Sequence, residues 1–230
     1  MTPPAPRLSV IVPVLHEAAA IVAAVDALFR EAGPLPVEVV VVDGDAEGST
    51  LAALRDERVR RITAPKGRGS QLRAGAEAAR GSILLFLHAD TRLPAGAFGD
   101  VFSAVEGGAE AGAFTLSIDA PGAAFRLVEA GAALRCRLFS LPYGDQAIFV
   151  TSRRYASAGG FPPWPLLEDV ELVRRLKRSG CAVAVLPARV RTSARRWRRD
   201  GVLRRTLGNL AILLLFRLGV SPERLAGMYR

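Results

Sequence analysis

Residues 8–14 read LSVIVPV and residues 37–42 read VEVVVV. Each is a nearly unbroken β-branched run of strand length, the pattern of strands buried on both faces of a parallel sheet. Between them, Glu17 to Glu31 carries Ile21, Val25, Leu28 and Phe29 at spacings of three and four, and Gly33 with Pro34 stops the helix that this spacing predicts. Strand, helix and strand make one βαβ unit. The alternation continues with Leu51 to Glu57 as a short helix, Val59 to Ile62 as a weak strand, Gly69 to Arg80 as a helix and Ser82 to Leu87 as another buried strand. This order predicts right-handed crossovers and a mostly parallel sheet.

The second half has a different order. A Gly-rich stretch, Gly107 to Gly112, precedes the strand AFTLSI (113–118); Pro121 to Phe139 reads as a helix and QAIFV (146–150) as a strand. The Pro-rich loop Phe161 to Pro165 leads into a helix from Glu168 to Ser179, ended by Gly180, and then a strand from Ala182 to Leu186. From Arg189 the chain is Arg-rich and then helical. No internal repeat and no domain linker interrupts it, so the second half is expected to complete the same sheet as a single domain.

With 230 residues, half of them hydrophobic and 23% charged, the chain has the composition of a folded domain and not of a disordered one. A formal charge of +9 favours anionic partners without choosing among them. The two cysteines, Cys136 and Cys181, are in no metal-ligand spacing and frame no disulfide scaffold, which fits a reducing cytoplasm. Met1 to Pro6 is Pro-rich and lacks the pattern of a secretory signal, and the apolar run Leu210 to Phe216 is far shorter than a spanning helix. The expected location is cytoplasmic.

Ligands of parallel α/β sheets bind beyond the carboxyl ends of the strands. His16 and Glu17 follow the first strand, Asp43 the second, and His88 and Asp90 follow ILLFL (83–87), while Glu168 and Asp169 open a helix. Asp43 and Asp90 have a plain alternative as caps or turn formers, and Glu168 and Asp169 as partners of the helix dipole. Lys66 and Arg68, alternating with Gly67 and Gly69, form a flexible basic turn suited to a diphosphate, with Gln71 and Arg73 on the helix that follows. It is not a dinucleotide fingerprint, because it lacks the third glycine and does not follow the first strand.

Five stretches, VIVPVLHEAAAIVAAVDAL (10–28), VVVVDGDAEGST (39–50), KGRGSQLRAGAEAARGSILLFLHADTRLP (66–94), GDQAIFV (144–150) and GGFPPWPLLEDVELVRRLKRSG (159–180), resemble in this order the signatures of family 2 glycosyltransferases. The HADT wording is similar to a bacterial subgroup sometimes encoded beside radical-SAM proteins and, more distantly, to carotenoid-acid (diaponeurosporenoate) glucosyltransferases. The likeness implies a single GT-A-like (Rossmann-like) three-layer α/β domain over residues 1–200, with a nucleotide-sugar half at 8–92 and an acceptor half at 93–200, followed by a helical tail at 201–230. It implies that Glu17 lines the nucleotide pocket and that Asp43 accepts a hydrogen bond from the base. Asp90 matches the last acidic position of the DxD motif, implying a divalent cation, Mn2+ or Mg2+, that neutralises the diphosphate as a Lewis acid. Asp169 matches the general base, which an inverting displacement needs on the face opposite the leaving nucleotide. Asp145, Gln146 and Glu168 fall on the acceptor side, with a turn role as the alternative for Asp145. Arg195 and Arg196 match a segment that closes over the diphosphate.

The pattern has departures. His88 stands at the first acidic place of DxD, as a metal ligand, a phosphate donor or a packed neutral side chain. His16 and Arg73 stand where many relatives have Asn, and Gly48 where Asp is common, with Glu47 one residue earlier. The implied activity is transfer from a nucleotide-diphosphate sugar, UDP-linked in the first instance, to a hydroxyl or carboxylate, the acceptor being a lipid, a carotenoid acid or a small metabolite. Two other readings are a non-catalytic transferase acting as a membrane-surface or nucleic-acid-binding scaffold, and a sugar nucleotidyltransferase, which wants a Gly-rich loop where this chain has VLHEAAA (14–20). Nucleic acid is not expected, because the arginines concentrate at one end without interleaved aromatics. Eight arginines between Arg189 and Arg205 beside an apolar helix suit peripheral attachment to an acidic inner membrane face, or else a helix packed on the core or on a second subunit of a homodimer.

Overall fold

A computed structural model describes residues 5–228; the Pro-rich start at 1–4 and the last two residues of the tail lie outside it. The elements run β1 (Leu8–Val14), α1 (Ala18–Ala32), β2 (Val37–Asp43), β3 (Val59–Thr63), α2 (Arg68–Ala78), β4 (Ile83–Phe86), β5 (Thr91–Arg92), α3 (Ala97–Glu106), β6 (Ala111–Asp119) and α4 (Ala123–Phe139). They continue with β7 (Phe149–Thr151), α5 (Ser152–Ser157), α6 (Glu168–Arg178), β8 (Val183–Ser193), α7 (Arg195–Asp200), α8 (Val202–Arg217) and α9 (Pro222–Met228). The strands form one sheet in the order β3-β2-β1-β4-β7-β6-β8-β5. Pairs β3–β2, β2–β1, β1–β4 and β6–β8 are parallel, and β7 and β5 supply the antiparallel pairings.

The three layers follow from period-two alternation in valine-rich strands buried on both sides. Val10, Val12 and Val14 of β1 and Val39 and Val41 of β2 face one way, against Ile21, Val25 and Leu28 of α1 and Phe98, Val101 and Phe102 of α3. Ile11, Val40 and Val42 face the other way, against Leu72 of α2, Tyr155 of α5 and Leu172 and Leu176 of α6. Gly75 permits this close approach, since a methyl group there would come 2.4 Å from Ile11 Cγ2.

Three local expectations are corrected, and one helix is added. The helix expected over 51–57 shrinks to a 3-10 turn at Leu51–Ala53, because Leu54 is extended and its carbonyl accepts a hydrogen bond from Arg61 Nη1 at 2.8 Å instead of continuing a helix. Gln146 belongs to a 3-10 turn at Gly144–Gln146, not to the strand, because Ala147 breaks the chain with φ 49° before β7 begins. The strand expected to stop at Leu186 runs on to Ser193, with an irregularity where Leu186 and Arg189 pair with the adjacent residues Phe114 and Thr115. Pro187, which has no N–H for the ladder, sits in that bulge. Helix α3, unassigned in the sequence, buries Ala97, Phe98, Val101 and Phe102 at helical spacing.

Candidate active site

The carboxyl ends of β1, β2 and β4 open on one edge of the sheet, and the chain builds that edge with buried polar staples. Asp43 is fully buried, and its carboxylate accepts from the backbone N–H groups of Asp45 at 3.0 Å, Thr50 at 2.9 Å and Leu51 at 3.3 Å. Thr50 in turn accepts from Glu17 N at 3.1 Å, tying the loop after β2 to the loop after β1. Gln71 is also buried, and its Nε2 donates to Val14 O at 2.7 Å and Val42 O at 2.9 Å, the last carbonyls of β1 and the penultimate one of β2. Gly44 lies against this amide, since a methyl group there would come 2.9 Å from Gln71 Cδ. Gln71 is therefore a strut between the ends of β1 and β2, its amide nitrogen turned to the main chain. Both of its amide hydrogens are engaged.

His16 adopts φ 57° and reaches Asp45, with Nδ1 3.7 Å from Oδ2. On the far side, Glu17 Oε1 meets Arg195 Nη2 at 3.3 Å, so the start of α7 closes over the end of β1. Arg196, next on α7, acts electrostatically on His88. Asp90 is fixed to the same region through its carbonyl, which accepts from Ser193 N at 3.1 Å. Lys66 is exposed.

The second wall comes from α2, the Tyr143–Gln146 turn and the start of α6. Gly69 lets the basic turn press onto the Pro-rich loop: its N–H donates to Trp164 O at 3.2 Å, and a methyl group there would come 2.2 Å from Pro162 O. Arg68 Nε then lies 3.0 Å from Oε1 of Glu168, which is 1% exposed. Glu168 Oε2 is buried with no partner, as is Asp145 Oδ1. Burial raises the Glu168 carboxyl to about 7, against the Arg68 charge that lowers it, with Asp169 adding to the rise. Burial likewise raises Asp145 to about 6.

Asp169 is held from both sides: Oδ2 accepts from Gly144 N at 2.5 Å and Oδ1 from Val170 N at 2.8 Å. A methyl group on Gly144 would come 3.0 Å from both Asp169 Oδ2 and His88 Nε2, so strand end, turn and helix start converge at one point. Burial drives the His88 imidazole down to about 3, with Arg68 and Arg196 pushing the same way. It is neutral at physiological pH. Gln146, expected at the acceptor side, is 1% exposed and locks the turn instead. Its Oε1 accepts from Arg135 Nη2 at 2.8 Å and Tyr143 N at 3.2 Å, and its Nε2 donates to Phe114 O at 2.9 Å.

Among the described residues no group of three or more His, Cys, Asp or Glu side chains is placed to hold a metal ion. His88 and Asp90 offer two protein donors, and the imidazole is in the neutral form that ligation requires. Such a short set suits Mg2+ or Mn2+ only where substrate phosphates and water complete the sphere. Asp90 fits that arrangement as an oxygen donor, while the His88 ring reaches toward Gly144 and Asp169. Sequence reasoning gave no role to Gly144 and Thr50, which lie inside the quoted stretches 144–150 and 39–50, or to Arg135, which lies outside them; all three position other groups.

A sequence profile described as Glycosyl transferase family 2 matches residues 9–136. No curated protein matches the chain. Among solved structures, the mannosyltransferase PcManGT from Pyrobaculum calidifontis, in complex with GDP-Man and Mn2+, superposes with TM-score 0.65 at 19% identity, covering 99% of this chain and 69% of that one. TarS from S. aureus, residues 1–349, gives 0.64 at 16% identity, covering 95% and 68%. Glucosyl-3-phosphoglycerate synthase from Mycobacterium tuberculosis, in complex with Mn2+, UDP and phosphoglyceric acid, gives 0.59 at 18%, covering 80% and 69%. At these identities the likeness establishes a shared fold.

Proposed function

The chain belongs to glycosyl transferase family 2, and from that premise we infer that it moves a sugar from a nucleoside-diphosphate donor to an acceptor hydroxyl or carboxylate, with inversion. The observation that carries this reading is the Asp169 carboxylate, oriented by two backbone N–H groups at the point where His88 and Gly144 meet. A general base must sit within hydrogen-bond reach of the proton it takes, and its orientation matters as much as its basicity. Asp169 takes the acceptor proton. Glu168 and Asp145, each with a buried oxygen that has no hydrogen-bond partner, are assigned to the acceptor side.

On the donor side, the loops pinned by Asp43 and Gln71 form the floor for the nucleoside, so Asp43 acts on the base through the loop it holds. Glu17 and Arg195 close that floor, and Arg68, Arg196 and Lys66 bring positive charge to the diphosphate. Asp90 and neutral His88 would hold Mn2+ or Mg2+, whose chemistry there is Lewis-acid neutralisation of the departing phosphate. UDP is the first donor to test, with GDP beside it.

The test is thermal stabilisation by UDP, GDP and their sugars, with and without Mn2+, paired with turnover of Asp169→Asn. A ligand at about 100 times its Kd adds roughly 2.7 kcal/mol. The expected result is a metal-dependent shift with one base, retained in Asp169→Asn, whose turnover drops by about 10²-fold or more. No shift with any nucleotide, or full turnover without the carboxylate, would sink the reading.

A further inference from the structure

Helix α8 is apolar on both sides, yet only one side is covered. Its inner face places Ile212, with Leu213, Leu215 and Phe216, on Leu166, Leu167 and Val170 at the start of α6. Its outer face carries Leu203, Leu207, Leu210, Leu214 and Leu218, spaced by four, three, four and four, which is one stripe of a helix. Helix α4 repeats the arrangement with Leu127, Leu134 and Leu138, followed by Phe139. All nine side chains are 55–76% exposed. The two helices adjoin, since Val202 of α8 packs on the cluster that holds Phe125 of α4. Isolated exposed leucines need no explanation, but an exposed stripe on each of two adjoining helices marks an interaction surface.

The charges around this surface choose its occupant. Residues 189–228 contain ten arginines against two acids, Asp200 and Glu223, and α8 contains no acidic residue. The one acid of α4, Glu129, is buried at 6% exposure and pairs with Arg126 at 2.9 Å, and Arg126 and Arg137 are the exposed charges of that helix. A second copy docking through this face would bring like charges together, which disfavours self-association. Lipid phosphates would neutralise the same arginines while the acyl region covers the leucines. No helix among the described residues is long and apolar enough to cross a membrane, so the two helices would lie along the interface.

We propose that α4 and α8 form a docking face for an anionic lipid bilayer, with the leucine stripes entering the headgroup boundary and the flanking arginines binding phosphates. This inference is independent of the sugar-transfer reading. Removing the tail would not test it, because the inner face of α8 covers the start of α6. The experiment is co-sedimentation of the full chain with phosphatidylcholine vesicles and with vesicles containing phosphatidylglycerol, for wild type, Leu207→Ser/Leu214→Ser and Leu134→Ser/Leu138→Ser. Partitioning is expected to rise about tenfold or more with the anionic lipid and to fall about tenfold or more in each pair, at unchanged Tm.

Insertion is read separately on single-cysteine labels. Cys136 and Cys181 are both buried, so an environment-sensitive dye at Leu134→Cys or Leu210→Cys reports the face, and one at Glu57→Cys is the control. A blue shift on anionic vesicles at the first two positions alone is expected, and it holds even if a serine pair fails to fold. Failure to bind anionic vesicles overturns the proposal. So do binding that survives both serine pairs with no dye shift, and a dimer lost in the serine pairs without vesicle binding.

Discussion

Adding one methyl group at Gly144 separates the orientation of Asp169 from its presence. Gly144 does not adopt a left-handed φ, so alanine is compatible with the backbone and the N–H that binds Asp169 Oδ2 is retained. The new Cβ would lie 3.0 Å from both Asp169 Oδ2 and His88 Nε2, where ordinary contact begins at 3.4 Å. The carboxylate or the imidazole must therefore retreat by roughly 0.4 Å. If a 1 Å misplacement costs on the order of 10²-fold in rate, this retreat costs roughly fivefold to tenfold in kcat. The assay is steady-state transfer, with donor Kd and Tm measured on the same preparation. Donor Kd without metal should be unchanged, because the proposed nucleoside floor rests on Asp43 and Gln71, and a change seen only with Mn2+ would place the displacement on His88 and not on Asp169. Gly131→Ala is the matched control: its Cβ meets nothing within 4 Å on α4, and it should raise stability by about 0.5–1 kcal/mol with kcat untouched. Wild-type kcat in Gly144→Ala would refute the claim that Asp169 acts from the position seen here, and a collapse in Tm would assign the glycine to folding instead.

Two further outcomes concern Glu168. Above pH 7, where Glu168 ionises in the fold, Arg68→Met should destabilise by roughly 1–3 kcal/mol, because it leaves a carboxylate that is 1% exposed without its ion-pair partner. Arg68→Met/Glu168→Gln should recover most of that loss in urea titrations, and a single variant as stable as wild type would refute burial of the pair. Folding raises the Glu168 carboxyl from 4.5 to about 7, so its contribution is fully present below the unfolded value and is lost as pH rises through the folded one. Between about pH 4.5 and 7, wild type should accordingly lose on the order of 3 kcal/mol relative to Glu168→Gln. Parallel stability curves for the two proteins would overturn this assignment.

The doubly buried strands β1, β2 and β4 and the helices between them were legible because each carries its own period, and the sheet edge where ligands bind follows from them. The antiparallel half was less so. Helix α3 has buried residues at helical spacing, but Pro94 and three nearby glycines, Gly96, Gly99 and Gly107, mask its boundaries. β8 continues through Pro187 because the bulge opposite Phe114 and Thr115 absorbs the missing donor, and nothing local in the sequence announces that. At the site, residue types on strand ends could be recognised, but their partners could not. Gln71 and Gln146 look like ligand-binding amides, and both turned inward because nearby main-chain carbonyls at Val14, Val42 and Phe114 needed donors. Which polar group faces the ligand depends on contacts between residues as many as 178 positions apart, as with Glu17 and Arg195.

The same long-range packing ties the C-terminal helices to the chemistry. Leu166, Leu167 and Val170 flank Glu168 and Asp169, and Ile212 of α8 and Leu225 of α9 pack on them together with Tyr143 of the turn that holds Asp169. Leu167 is itself in the left-handed region at φ 63°, a conformation a leucine keeps only when its surroundings over-determine it. The burial that raises the Glu168 carboxyl therefore depends on apolar cover near the start of α6, part of which α8 and α9 supply. Residues of α8 and α9 thus cover the start of α6 from outside. A membrane bound to the exposed stripe of α8 would press on a helix whose inner stripe sits on the segment carrying the proposed base.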